Sequence, residues 1–126
     1  MTDGLEAAAR AAQAHAYAPY SHFRVGAALE GEDGRVFAGC NVENASYGLS
    51  LCAECGLVSA LHGGGGGRLV AVTCRTAAGT ALLPCGRCRQ LLWEHGGGQL
   101  LVDTPRAVLP MAEVPPDAFD AGDLRE

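Results

Sequence analysis

Apolar residues recur along the chain at two different periods, and the switches between them divide it into elements. Leu5, Ala8, Ala9, Ala12 and Ala16 fall at helical spacing in an alanine-rich stretch, which predicts a first helix over residues 3–15, with Pro19 barring any continuation. The period then drops to two. Val25, Ala27 and Leu29 alternate with other residues, Asp33 and Gly34 supply a hairpin turn, and residues 36–40 form the returning strand. These two strands are expected to begin the antiparallel edge of a sheet. No period holds over residues 41–50, where small polar residues mark a loop crossing the surface.

Helical spacing returns with Glu54, Leu57, Val58 and Leu61 at i, i+3, i+4 and i+7, so Glu54 shares the face that this helix buries. Five glycines follow, Gly63 to Gly67. They are expected to form a slack connector, since no phosphate-binding Lys-Ser or Lys-Thr comes after them. Residues 69–74 are a continuous apolar run of strand length, expected at the centre of the sheet. Cys88, Leu91 and Leu92 make the stripe of a further helix that Gly96 ends, and short strands at 99–102 and 106–109 flank a turn at Asp103-Thr104-Pro105. Pro116 suits the first turn of a short tail helix, in which Phe119 would be costly to leave in water. Five strands and three main helices in 126 residues amount to one domain covering residues 1–126, without internal repeat.

Two pairs of cysteines punctuate this pattern, Cys52-x-x-Cys55 and Cys85-x-x-Cys88, each at the start of an expected helix. Paired knuckles of this spacing can aim thiolates at one tetrahedral zinc ion. Four sulfurs would close the site and make it structural; three would leave a position for water and make it catalytic. A buried Glu54 without a partner would cost several kcal/mol or stay protonated, so it needs a cation or a proton-transfer task.

Composition narrows the setting. The net charge is −5, there is no lysine, and the nine basic residues are arginines scattered without a run, which disfavours a groove that tracks nucleic-acid phosphates. The first six residues lack a charged and apolar leader, so six cysteines are read as reduced thiols of a cytoplasmic protein and not as three disulfides. No apolar run approaches the roughly 20 residues of a membrane span.

Cys52-Ala53-Glu54, followed some thirty residues on by Pro84-Cys85-Gly86-Arg87-Cys88, resembles the small cytidine deaminases. The likeness extends upstream through Pro19-Tyr20-Ser21-x-Phe23-x-Val25-Gly26-Ala27-Ala28 and Gly39-Cys40-Asn41-Val42-Glu43-Asn44-Ala45-Ser46-Tyr47-Gly48, and covers roughly residues 15 to 120. It implies a three-layer α/β/α fold with a mixed five-stranded sheet. The implied activity is zinc-dependent hydrolytic deamination of cytidine and deoxycytidine to uridine and deoxyuridine in pyrimidine salvage, by a homotetramer with shared active sites. Cys52, Cys85 and Cys88 would then hold Zn2+ and Glu54 would move the protons. Two other readings use the same residues: a deaminase of a related aminated heterocycle such as a nucleoside antibiotic, and a four-cysteine structural zinc domain without chemistry.

Many resembling sequences carry an arginine after Cys-Ala-Glu, where this chain has Cys55. Something positive must offset three thiolates, and the positive ends of the two helices, with Arg87 or Arg89 folded back onto a sulfur, are the candidates. The resemblance further implies that Phe23 lies against the nucleoside and that Asn41 and Glu43 hold the ribose hydroxyls. Glu43 would repel a phosphate, so nucleosides are expected in preference to nucleotides. Backbone groups near Ala53, and Pro84, would read the base edge, and Tyr47 and Phe119 would reach a neighbouring subunit's pocket. Cys40 and Cys74 are expected to be buried bystanders at strand ends, and His15, His22, His62 and His95 are assigned no metal.

Overall fold

The computed structural model describes residues 3–114 and residue 122; the expected tail helix, with Pro116 and Phe119, lies outside these residues. Helix α1 (Asp3–Gln13) is followed by the hairpin β1 (Val25–Gly31) and β2 (Val36–Cys40), then α2 (Ala53–Gly63), β3 (Leu69–Thr76), α3 (Gly86–Gly96), β4 (Leu101–Asp103) and β5 (Val108–Pro110). Short 3-10 turns occupy Tyr47–Leu49 and Met111–Glu113. The strands form one mixed sheet in the order β2-β1-β3-β4-β5. β1 runs antiparallel to both β2 and β3, β3 and β4 are parallel, and β5 returns antiparallel to β4. The apolar run of β3 is the central strand, as its unbroken hydrophobicity requires.

The two faces of β1 explain the layers. Ala27 and Leu29 join Leu57, Leu61 and Leu92 in a core beneath α2 and α3, while Ala28 packs with Leu5 and Ala9 beneath α1. Helices thus cover both faces of the sheet. Burying Leu57 and Leu61 completely contributes about 1.5–3 kcal/mol each. Close approach is set by glycine: a Cβ at Gly26 would lie 1.9 Å from the Ala9 carbonyl oxygen in α1, and one at Gly39 would lie 3.1 Å from the Ala53 carbonyl oxygen in α2.

Several boundaries differ from expectation. The first helix ends at Gln13 because three-residue bonds from the His15 and Ala16 amides to Ala12 and Gln13 tighten the chain beyond it. Helix α3 does end at Gly96 as expected, and Gly97 with φ +70° takes the turn. The last two strands shift one or two residues because the turn is centred later. Thr104 Oγ1 accepts from the amides of Arg106 and Ala107, and the Thr104 amide donates to the Ala107 carbonyl. The glycine run is not slack where it follows α2: Arg35 donates to the carbonyls of Gly64 and Gly66.

Candidate active site and metal centre

Cys52 and Cys85 are the N-cap residues of α2 and α3, with extended dihedrals (φ −70°, ψ 156° and φ −68°, ψ 170°). Neither side chain caps its helix, so both sulfurs are free to converge, and they lie 3.8 Å apart. Cys88 completes the group, its ligand atom within 4.8 Å of the other two. Among the described residues this triplet is the only cluster of three or more metal-ligating groups, and Cys55 is not in it. The same four-residue spacing has two outcomes because the helices present different faces to the core. In α3 the second cysteine falls on the buried stripe with Leu92; in α2 that face is taken by Glu54, Leu57 and Leu61, and Cys55 turns toward the side of Ser59 and His62.

Electrostatics suit a cation. A hydrogen bond from Cys88, joined by Cys85 and the positive charge of Arg87, holds the Cys52 thiol down to about 6 against the opposing effect of burial. Cys88 is correspondingly pushed up, as the partner that keeps the proton. The triplet therefore shares protons that a metal would displace, and three converging sulfurs at two positive helix ends fit a zinc ion well.

Glu54 is 5 % exposed. Burial raises its carboxyl above the ordinary range; its own backbone amide and the thiols of Cys74 and Cys88 pull the other way, while the charge on Cys52 adds to the rise. Beside it opens a cavity of about 240 Å³, whose wall includes Phe23, Glu43, Ala53, Glu54, Cys74 and Cys85. A second hollow of about 390 Å³ shares Ser21, Asn41, Glu43 and Cys52 and adds Tyr20 and Tyr47.

Glu43 is partly desolvated, yet its carboxyl is held below the ordinary range by the Ser21 hydroxyl, the Ser21 and Tyr20 amides and the charge of His22. The two amides donate to Oε1 at 3.1 and 3.0 Å, and the hydroxyl donates to Oε2. Asn41 lines both hollows but is already engaged: Oδ1 accepts from the Val25 amide and Nδ2 donates to the Phe23 carbonyl, each at 2.9 Å. Pro84 is buried, and its chain neighbours Leu83 and Cys85 line the cavity. Tyr47 is 76 % exposed on the rim, in edge contact with Tyr20 at 6.2 Å. Arg87 bears on Cys52 through its charge, whereas Arg89 faces a separate hollow with Gly86, Gln90, Trp93 and Met111.

Two expectations about the bystander cysteines need correction: Cys40 ends β2 as expected but is only half-buried. Cys74 is buried as expected, but it lies inside β3 and not at its end, and it lines the cavity against Glu54. His62 and His95, unrelated by ligand spacing, meet in space: Nε2 of one lies 3.1 Å from Nδ1 of the other. Sequence reasoning also gave no role to Ser21, which orients Glu43; its position 22 residues away left no local signal.

The family described as the cytidine and deoxycytidylate deaminase zinc-binding region matches residues 3–103. A cytidine deaminase of Mycobacterium tuberculosis is 57 % identical over 120 residues, covering 95 % of this chain and 90 % of that protein. One from Halalkalibacterium halodurans is 38 % identical over 118 residues, with 88 % of each chain covered. The crystal structure of cytidine deaminase from Mycobacterium leprae superposes with a TM-score of 0.87 at 59 % identity, covering 91 % of this chain and 97 % of the other.

Proposed function

The chain belongs to the cytidine and deoxycytidylate deaminase family, and from that premise we propose how its own residues carry out the zinc-dependent hydrolytic deamination of cytidine and deoxycytidine. The single observation that carries the reading is a buried Glu54 beside three converging thiols, at the wall of a cavity of about 240 Å³. A zinc ion held by Cys52, Cys85 and Cys88 supplies the Lewis acidity that makes water a strong nucleophile near neutral pH.

Glu54 is the proton carrier. It takes one proton of the attacking water and delivers it to N3 of the base as the oxygen adds at C4; it then takes the second proton from that oxygen and passes it to the amino nitrogen, so that the C4–N bond breaks, ammonia leaves and C4 becomes a carbonyl. Burial raises the Glu54 carboxyl from its ordinary value, the direction that suits a group that must hold a proton between transfers. Phe23 forms a side of the base pocket, and backbone groups at Ala53 read the base edge. Glu43, held in place by Ser21 and two amides, accepts from ribose hydroxyls, and its charge turns away nucleotides. Asn41 has one Nδ2 hydrogen left for the sugar after bonding Phe23. Arg87 and the helix ends offset the thiolate charge, with Arg89 the second candidate.

The chain works in pyrimidine salvage in the cytoplasm, as a homotetramer in which Tyr47 and Phe119 reach a neighbour's pocket. Support for assembly comes from exposed apolar side chains: Tyr20, Tyr47 and Leu51 line the larger hollow, and Val42, itself exposed, bridges to Leu51 and to the exposed Tyr17. Among the described residues no helix is long and apolar enough to cross a membrane.

An ultraviolet assay on cytidine tests the reading. Turnover should vanish with a zinc chelator and return with Zn2+. Glu54→Gln should lose about 10²- to 10⁴-fold in kcat with bound zinc unchanged; a variant of near-normal kcat would refute the assignment.

A further inference from the structure

The two helices that start at the metal centre end at a second constellation. α2 and α3 each span 11 residues, about 16 Å of rise, and in the last turn of each stands a histidine, His62 and His95. Their rings meet edge to face with centroids 4.7 Å apart and interplanar angle 68°, and His62 Nε2 lies 3.1 Å from His95 Nδ1. His62 is exposed and His95 half-buried, so solvent reaches the pair.

We propose that His62 and His95 form a second, open metal site that takes one divalent late transition ion, of the class of Ni2+ or Zn2+. Two imidazole nitrogens bound at about 2.0–2.1 Å to one ion stand roughly 2.9–3.4 Å apart for angles between square and tetrahedral. The observed 3.1 Å falls inside that range; in the metal-free pair this contact is a hydrogen bond between the two rings, and the ion would take the place of its proton. Arg35 and Arg68 stand at the same helix ends, but Arg35 is committed to the carbonyls of Gly64 and Gly66 and to Asp33, and Arg68 Nη2 donates to the Gly96 carbonyl at 2.9 Å. The imidazoles are thus the donors these helix ends offer, with water completing the coordination. Soft thiolates at one end and borderline imidazoles at the other make the two sites chemically distinct.

The test uses zinc-loaded enzyme titrated with Ni2+ by calorimetry, with zinc content measured before and after. One Ni2+ per chain should bind without displacing the zinc. His62→Gln and His95→Gln should each weaken that binding by about tenfold or more while cytidine turnover stays at the wild-type rate. In the unmodified enzyme, Ni2+ should shield His62 and His95 from diethyl pyrocarbonate while His15 and His22 still react. The proposal is overturned by absence of saturable binding, by uptake that only replaces zinc, by binding that survives both substitutions, or by modification of His62 and His95 unaffected by nickel.

Discussion

Cys55 and Glu43 are the residues at which neighbouring chemistry overrides what a residue type suggests. Cys55 completes a four-cysteine pattern in the sequence, yet the converging group holds Cys52, Cys85 and Cys88 without it. Cys55→Ser should therefore keep one zinc per chain and turnover within about twofold, since surface-side substitutions away from such features change stability by about 0.5 kcal/mol or less. Loss of both would establish a closed site. Cys88→Ala, by contrast, should lose zinc, and with it the folding free energy the metal supplies. Glu43 carries a depressed carboxyl, so it is ionised above that lowered value. Its contribution to stability is present above the ordinary 4.5 and lost only as pH falls through the lowered value. With Glu43 as the ribose acceptor, KM for cytidine should stay flat from about pH 8 to about pH 5; a KM that climbs below pH 6.5 would argue against that role.

At the scale of elements, the position of the α2 N-terminus matters more than its sequence. Gly39 in β2 lets the Ala53 carbonyl come within 3.1 Å of where a Cβ would stand, with Leu57 Cδ2 at 3.4 Å, so Gly39→Ala pushes the helix start that carries Cys52, Ala53 and Glu54. A displacement of a few tenths of an ångström should lower kcat by about tenfold, given that about 1 Å costs on the order of 10²-fold, with a modest fall in melting temperature. Gly34 is the contrast: it sits at φ +86° in the hairpin turn with open space around it. Gly34→Ala should cost about 1 kcal/mol of stability and leave kcat untouched. Equal kcat losses in the two variants would show that the effect is general destabilisation. The alternation of β1 was legible as Val25, Ala27 and Leu29, but the need for glycine at 26 and 39 was not, since it arises from helices that cross the strands from opposite sides.

For the whole molecule, the proposed assembly predicts that Tyr47→Ala both weakens oligomerisation in sedimentation and raises KM for cytidine. A variant that remains assembled with wild-type KM would remove Tyr47 from the neighbour's site. Helices, central strand, hairpin and the two knuckles were legible because each rests on local spacing: a period of 3.6 or 2, a turn dipeptide, or cysteines three residues apart. Glu54 was legible for the same reason, an acid on an apolar stripe. What tertiary structure alone decided is which residues from distant segments meet. It left Cys55 outside the thiolate group, set Ser21 under Glu43, placed Cys74 against Glu54 and paired His62 with His95. The three outcomes on helices depend on how each helix is rotated against the sheet, and the meeting of Ser21 with Glu43 on how two loops are brought side by side; both are set by packing of the whole, which no stretch of chain encodes by itself.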